Sequence, residues 1–344
     1  MDAPAIPAVA ETVVDATVLI CTFNRAAVLG ETLDSLAALR VPQGLTWDVL
    51  VVDNHSTDRT RAAVEARAAN YPVPLRYLFE GRQGKSYALN AGIARSAARV
   101  IVFTDDDVKV PDRWLEAAVT PLLQRNDIDY TGGPVRPIWG APRPSWLDEK
   151  GNLGGPIAVK DHGPAPFIFE EEQRTPLGVN MAVRRSLIER IGAFRPDLGR
   201  SGKSLLGQEQ AEFFYRCRYA GARGLYVPQM VLDHLVPASR LTPSYFRRWW
   251  YWKGVAHARV HRIHNQTELG LSLSAVPHIA GVPRFVFGLI WAAARGWVQA
   301  LAAGDAVART QHRLMLAYAA GYLVEARAGQ RGSTIRRTES PARI

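Results

Sequence analysis

A repeated alternation of apolar strands and helical segments in the N-terminal half constrains the fold of this chain more than any other feature. Four mostly apolar runs, each of strand length, are found at residues 17–21, 47–52, 75–79 and 100–103. A segment with apolar residues at helical spacing follows each run. Strands that are apolar throughout must be covered on both faces, so the alternation predicts an α/β domain with a parallel sheet flanked by helices.

Polar residues cluster directly after three of the four predicted strands, at residues 22–25, 53–58 and 105–107. Ligands of open parallel sheets bind beyond the carboxyl ends of the strands. We therefore expect one crevice to collect all three groups.

The second half of the chain has a different pattern. Residues 138–175 are rich in Pro, Gly, Trp and acidic residues without periodicity, which predicts a long functional loop or lid. A mostly apolar helical region occupies residues 277–323. The predicted organisation is a disordered tail at residues 1–14, an α/β domain at residues 15–240, a helical extension at residues 241–330 and a second disordered tail at residues 331–344.

Charge and cysteine content limit the classes of partner and compartment. The 42 Lys and Arg residues exceed the 32 Asp and Glu residues, giving a net charge of +10. Such a charge suits a phosphate-rich substrate, a nucleic acid or an anionic lipid surface. Cys21 and Cys217 are far apart in sequence, so neither a disulfide framework nor a zinc ribbon is indicated, and a reducing cytosol is the simpler location.

Asp105, Asp106 and Asp107 form an acidic run at the end of the fourth strand. Three adjacent carboxylates repel one another unless a cation or solvent compensates them. Mg²⁺ or Mn²⁺ would do so and could share its remaining positions with phosphate oxygens. The alternative is a solvated acidic turn before the next helix, which the bare Asp-x-Asp pattern favours.

The order and spacing of several motifs make the pattern more specific. The motifs are Thr22-Phe23-Asn24-Arg25, Val52-Asp53-Asn54-His55-Ser56-Thr57-Asp58, Gly84-Lys85-Ser86 with Asn90, Phe103-Thr104-Asp105-Asp106-Asp107, Gly178-Val179-Asn180-Met181, Gly192-Ala193-Phe194, Gly207-Gln208-Glu209 and His234. Together they resemble glycosyltransferase family 2 over about residues 17–236. The resemblance implies a GT-A fold with a mostly parallel sheet and a nucleotide-sugar donor.

The resemblance also implies roles for single residues. Asp53 would hold the base, Asp105 the ribose or the metal, and Asp107 the metal, with His234 as a further metal or diphosphate contact. The remaining donor-binding residues that it implies are Thr22, Asn24, Arg25 and Asp106. Taken without the family, Asp53 is equally a helix N-cap, and an isolated histidine such as His234 is more often structural.

Lys85 stands near a predicted helix start, where a diphosphate could meet both a cation and free backbone N–H groups. The stretch from Gly81 to Ser86 superficially resembles a nucleotide-triphosphate loop. Phe79 occupies the position of that motif's first glycine, which excludes it. We therefore assign Lys85 to donor binding.

Inverting glycosyl transfer needs a base for the acceptor hydroxyl, and Glu209 is the candidate. The family usually has Glu-Asp where this chain has Gln208-Glu209, so the base would be one methylene longer. The alternative is a first-turn acidic residue that favours the helix dipole. Glu212, nearly one turn further on, is the reserve candidate.

Two other function classes compete with the transferase. Haloacid-dehalogenase-type phosphatases also use Asp-x-Asp after a strand, but they need Thr or Val where Lys109 stands. A basic nucleic-acid-binding protein is the non-enzymatic alternative. Its basic residues would be concentrated, whereas here they are spread along the chain. We therefore expect no nucleic-acid partner.

The C-terminal region predicts a cytoplasmic protein lying peripherally on the inner-membrane surface. Residues 246–253 combine cations with interfacial aromatics, which predicts a membrane contact through Arg248, Trp249 and Trp250, although packing against the catalytic domain is equally compatible. The apolar run at residues 285–294 is short for a spanning helix. His257, His261 and His264 predict a solvated basic face more readily than a metal site. The acceptor would be a glycan or a lipid-linked acceptor.

Overall fold

The structure is a computed structural model that describes residues 13–147, 153–169, 175–202, 204–267 and 271–338. Most of the predicted N-terminal tail and the last six residues of the C-terminal one lie outside these ranges. The chain divides into two compact units. The sheet unit comprises Met1–Arg136, Asp161–Phe194 and Phe214–Asp233, and the helical unit comprises Pro137–Lys160, Arg195–Phe213 and His234–Ile344. The domain boundary predicted at residue 240 stays a prediction.

The strands of the chain are short in its second half. Their bounds are β1 Ala16–Thr22, β2 Trp47–Asp53, β3 Leu75–Phe79, β4 Val100–Asp105, β5 Val108–Lys109, β6 Tyr130–Gly132, β7 Val135–Trp139, β8 Phe167–Ile168, β9 Met181–Arg184, β10 Gly224–Tyr226, β11 Leu232–Val236, β12 His278–Ile279 and β13 Val282–Pro283. The helices are α1 Ala26–Ala37, α2 Thr60–Ala68, α3 Lys85–Arg95, α4 Trp114–Gln124, α5 Arg185–Ile191, α6 Glu209–Tyr219, α7 Pro243–His264, α8 Arg284–Ala302 and α9 Ala306–Thr338.

The main sheet has eight strands in the order β3-β2-β1-β4-β9-β6-β10-β8, and a smaller one has the order β5-β11-β7. Strands β1 to β4 are mutually parallel, whereas β9 runs antiparallel to both β4 and β6. All seven residues of β2 and six of the seven in β1 are buried, because helices cover both faces of a parallel sheet. The predicted α/β class and mostly parallel sheet are confirmed.

The segment predicted as a long loop contains some regular structure. Strand β7 continues to Trp139, a 3-10 helix covers Gly155–Ile157, and β8 pairs antiparallel with β10. The acidic run at residues 170–172 lies outside the described residues.

In the helical unit, α7 and α9 approach closely. A Cβ on Gly254 would lie 2.0 Å from the Tyr318 carbonyl oxygen, and one on Gly321 would lie 1.9 Å from that of Tyr251. Glycine at both positions therefore lets the two backbones touch. Helix α9 extends to Thr338. The disordered tail predicted at residues 331–344 stays a prediction.

The membrane contact predicted for the aromatic residues of α7 is partly wrong, because these residues pack inside the protein. Trp250 is only 9% exposed and belongs to the core of the helical unit, with Trp249 packed against it. A buried tryptophan cannot lie in a lipid interface. Within the described residues, α8 is the helix long and apolar enough to cross a membrane by length and composition.

Candidate active site

The strand register aligns the polar residues that follow β1, β2 and β4. Thr22 pairs with Asp53, and Cys21 pairs with Asp105. The carboxyl ends of three neighbouring parallel strands therefore meet at one edge of the sheet, as the sequence predicts.

Two cations hold the acidic run at this edge. Lys85 Nζ lies 2.9 Å from Asp105 Oδ1. Arg25 Nη1 donates to Asp106 Oδ1 at 3.0 Å and to Asp107 Oδ2 at 2.5 Å. Burial would lower the pKa of Arg25, but the charges of Asp106 and Asp107 outweigh it and raise this pKa, so Arg25 stays charged.

Asp106 is the member of the acidic run that contacts both Thr22 and Arg25. It is 5% exposed, and it accepts hydrogen bonds from the Thr22 hydroxyl at 2.7 Å and from Arg25. Burial raises its pKa to about 6; Arg25 opposes this shift and Asp107 adds to it. Its contacts tie β1 and the loop after it to the end of β4.

Asp105 and Asp107 offer the ligand chemistry of a hard divalent cation. A carboxylate oxygen of one lies within 4.8 Å of a carboxylate oxygen of the other. Asp107 is buried and Asp105 is half-buried, so both are partly withdrawn from water. Oxygen donors at this separation fit Mg²⁺ or Mn²⁺, and these residues form a candidate metal site.

Asp53 is held in a fixed orientation at the end of β2. It is 2% exposed, and it accepts from the Ser56 N–H at 2.8 Å and from the Tyr77 hydroxyl at 2.7 Å. Burial and then the hydrogen bond to Asp53 raise the pKa of Tyr77, so its hydroxyl remains a donor. Each oxygen of the Asp53 carboxylate retains acceptor capacity for a further N–H.

Asn24 joins the loops after β1 and β2. Its backbone is left-handed, with φ at 54°, a region that asparagine tolerates better than most residues. Its side-chain oxygen accepts from the N–H groups of Thr57 at 2.7 Å and Asp58 at 3.3 Å. The described contacts of Asn24 thus position loops of the site.

Asn54 is a positioning residue to which the sequence assigns no role. Its Oδ1 accepts from the Gly84 N–H at 2.7 Å, and its Nδ2 donates to the Arg82 carbonyl at 2.8 Å. Gly84 precedes α3 with φ at 149°, which favours glycine, and Lys85 is the first residue of that helix. Asn54 therefore fixes the turn that presents Lys85. The only available signal was its position inside the second motif.

The two site residues that remain lie in the helical unit. Glu209 is the first residue of α6 and is 7% exposed, and His234 lies on β11 and is 1% exposed. Glu212 is also buried, and its carboxylate lies 3.1 Å from His264 Nε2. This contact gives the reserve base a partner within its own unit.

The predicted solvated histidine face is wrong for two of its three members. His257 and His261 are buried, and their Nδ1 atoms lie 3.0 Å and 2.9 Å from the hydroxyls of Tyr318 and Tyr322. Helix α9 covers this side of α7, and the sequence of α7 alone does not reveal that contact.

Comparisons with known proteins show that this chain is similar to glycosyltransferases. Residues 17–192 match the family described as glycosyl transferase family 2. The chain is 29% identical over 245 residues to the succinoglycan biosynthesis protein ExoM of Rhizobium meliloti (strain 1021), covering 70% of this chain and 73% of that protein. It is 25% identical over 222 residues to a glucosyl-dolichyl phosphate glucuronosyltransferase of Haloferax volcanii, covering 63% and 68%.

A solved structure supports the fold. The mannosyltransferase PcManGT from Pyrobaculum calidifontis, in complex with GDP-Man and Mn²⁺, superimposes with a TM-score of 0.54 at 18% identity, covering 96% of this chain and 81% of that one. The predicted GT-A architecture is confirmed. Together with the family match over more than half of the residues, this shows that the chain is a glycosyltransferase of family 2.

Proposed function

We propose that this enzyme transfers a sugar, with inversion and with a divalent cation, from a UDP-sugar to a glycan or lipid-linked acceptor in surface polysaccharide synthesis. The observation that carries the proposal is the pair Asp105 and Asp107 beside Lys85 and Arg25 at the strand ends. The relatives are named as a succinoglycan biosynthesis protein and a glucosyl-dolichyl phosphate glucuronosyltransferase, which supports the acceptor class.

The sheet unit supplies the donor half of the reaction. Asp53 would accept an N–H from the base, and Asp105 would hold the ribose or the metal. Lys85, the first residue of α3, would face the diphosphate at the N-terminal end of that helix. Thr22, Asn24, Arg25 and Asp106 would complete the donor site, chiefly by fixing its loops.

Asp105 and Asp107 would hold the cation, with His234 as a third ligand. When bound, Mg²⁺ or Mn²⁺ neutralises charge on the departing diphosphate. Two carboxylates and one imidazole match the ligands that Mn²⁺ accepts. Before donor arrives, Lys85 and Arg25 compensate the same carboxylates.

Glu209 would act as the base. As the acceptor oxygen bonds to the anomeric carbon, the bond from that carbon to the diphosphate oxygen breaks, and the configuration inverts. The acceptor hydroxyl proton passes to the Glu209 carboxylate, and the electron pair of the broken bond leaves with the nucleoside diphosphate.

The test is release of free nucleoside diphosphate from UDP-, GDP- and dTDP-sugars with Mn²⁺, with Mg²⁺ and with chelator. Metal-dependent release from the UDP-sugar alone is expected. Release from another donor would reassign the base that Asp53 contacts. Release unaffected by chelator would mean that the reaction does not require a divalent cation. If no nucleoside diphosphate is released from any donor even with lipid extracts as the acceptor source, and calorimetry detects no nucleotide binding, the proposal fails.

A further inference from the structure

We propose that the outer face of α8 docks in the plane of an anionic lipid surface. The outer face is defined by residues Arg284, Trp291, Arg295, Val298 and Leu301. The membrane location predicted from the sequence thereby acquires a specific contact surface, and the proposal does not depend on the proposed function. Its test requires neither donor nor acceptor.

Helix α8 has two opposite faces. Val286, Ala293 and Ala300, spaced by seven residues, are buried. On the other side, Trp291, Val298 and Leu301 are 65%, 57% and 50% exposed. Soluble proteins rarely leave an apolar helix face open, so exposure of a tryptophan and two aliphatic side chains on one face indicates an interaction surface.

The positive charge around this face indicates an anionic partner. Between residues 271 and 324 the sequence has four arginines and one acidic residue, Asp305. Asp305 accepts from the Ala308 N–H at 2.9 Å at the start of α9. Helical spacing places Arg284 and Arg295 beside Trp291, and the Arg295 guanidinium lies 5.4 Å from the Trp291 ring centroid. Apolar side chains flanked by arginines fit an anionic lipid interface.

The neighbouring helix argues for in-plane docking over spanning. The 19 residues of α8 measure about 28 Å, close to the hydrocarbon thickness. However, α9 packs along α8, and a Cβ on Gly296 would lie 2.2 Å from His312 Cε1. A spanning α8 would carry His312, Arg309 and Arg313 of α9 into the bilayer with it. Such residues are costly in hydrocarbon.

This face replaces the aromatic residues of α7 as the membrane contact. Trp250 is buried, and Lys253 lies 4.9 Å from its ring centroid. Trp249 packs against the same core. Trp249, Trp250 and Lys253 thus pack within the helical unit, whereas Trp291 is left exposed.

The experiment measures cosedimentation of the full chain with phosphatidylcholine vesicles, with and without phosphatidylglycerol. Binding should require phosphatidylglycerol and weaken with salt. The double variant Trp291→Ser, Val298→Ser should bind about tenfold more weakly, because both apolar side chains leave the interface. Arg295→Gln should weaken binding about fivefold, the loss expected for one arginine near an anionic surface.

Val324→Ser is the matched control. Val324 is 51% exposed on α9, next to Glu325, whose carboxylate pairs with Arg259 and Arg262. Its replacement should leave vesicle binding unchanged. Equal loss in this control, or unchanged binding in the double variant, overturns the inference.

Two further outcomes would distinguish in-plane lipid docking from a dimer contact and from a membrane-spanning helix. Size-exclusion chromatography that shows a dimer dissociated by the double variant, without vesicle binding, would assign the face to a second copy and overturn the proposal. Vesicle-bound protein that resists alkaline carbonate would indicate spanning and also overturn it. Donor hydrolysis should be unchanged in the double variant, so failure of docking and failure of the transferase proposal are distinguishable.

Discussion

Charged groups at the strand ends of the sheet unit and polar groups buried in the helical unit are arranged differently. At the strand ends, three consecutive carboxylates share two cations, Arg25 and Lys85. In the helical unit, His257 and His261 each face one tyrosine hydroxyl. The first arrangement crowds like charges, and the second matches polar groups pairwise.

The contrast separates the requirements of a site from those of packing. Like charges held together raise the energy of the folded chain unless a cation or ligand compensates them. Buried groups that form matched hydrogen bonds satisfy each other and need no ligand. Changes at the strand ends should therefore affect turnover, and changes between α7 and α9 should affect stability.

The largest effect is expected from Asp107→Ala. Metal-dependent donor turnover should fall about 10⁴-fold, because several kcal/mol of charge stabilisation is lost at about 1.4 kcal/mol per tenfold. Nucleoside diphosphate release over a Mn²⁺ titration measures it. Asp112→Asn is the control, since Asp112 is exposed and lies 3.6 Å from Arg40. Metal-dependent turnover retained by Asp107→Ala would remove Asp107 from the metal site.

Glu209→Gln should lower transfer by about 10² to 10³-fold, within the usual contribution of a general base. Donor affinity by calorimetry should stay unchanged, because the base acts on the acceptor. Glu212→Gln is the comparison, since its main expected effect is lower stability through a weaker contact with His264. Normal transfer by Glu209→Gln, with loss in a stable Glu212→Gln, would move the role to Glu212.

The sheet and its polar edge could be predicted because their signals are local. Each of β1 to β4 is a mostly apolar run, and the residue that ends each parallel strand must lie at the same sheet edge. The position of Asp105 and Asp107 at this edge could therefore be predicted from the sequence. The family assignment replaces the phosphatase and nucleic-acid-binding interpretations.

Contacts between distant segments could not be predicted in the same way. The burial of His257 and Trp250 depends on α9, some 60 residues further along the chain. The contact of Tyr77 with Asp53 depends on which strand lies beside β2. Contacts of this kind leave no periodic pattern in a single sequence. The aromatic and basic residues of α7 therefore predict a membrane-contact surface when the sequence alone is considered.

Tyr77→Phe should weaken binding of UDP about tenfold, because the hydroxyl that orients the Asp53 carboxylate is lost and a hydrogen bond to a charged group is worth about 1.5 kcal/mol or more. Isothermal titration calorimetry measures it. The matched control is Tyr71→Phe, whose hydroxyl donates to the Leu33 carbonyl at 2.6 Å on a neighbouring helix. An equal loss in both variants would mean that Tyr77 supports the fold and not base binding.

The smallest effect is expected from Tyr322→Phe in the helical unit. Removing the hydrogen bond between its hydroxyl and His261 Nδ1 should lower the free energy of unfolding by about 1 kcal/mol. Urea denaturation measures this loss, with Tyr219→Phe, at an exposed position, as the unchanged control. Donor hydrolysis should be unaffected below the unfolding transition. If Tyr322→Phe instead lowered hydrolysis and left stability intact, the pairwise polar contacts of α7 and α9 would belong to the catalytic machinery, and the contrast between the two regions would fail.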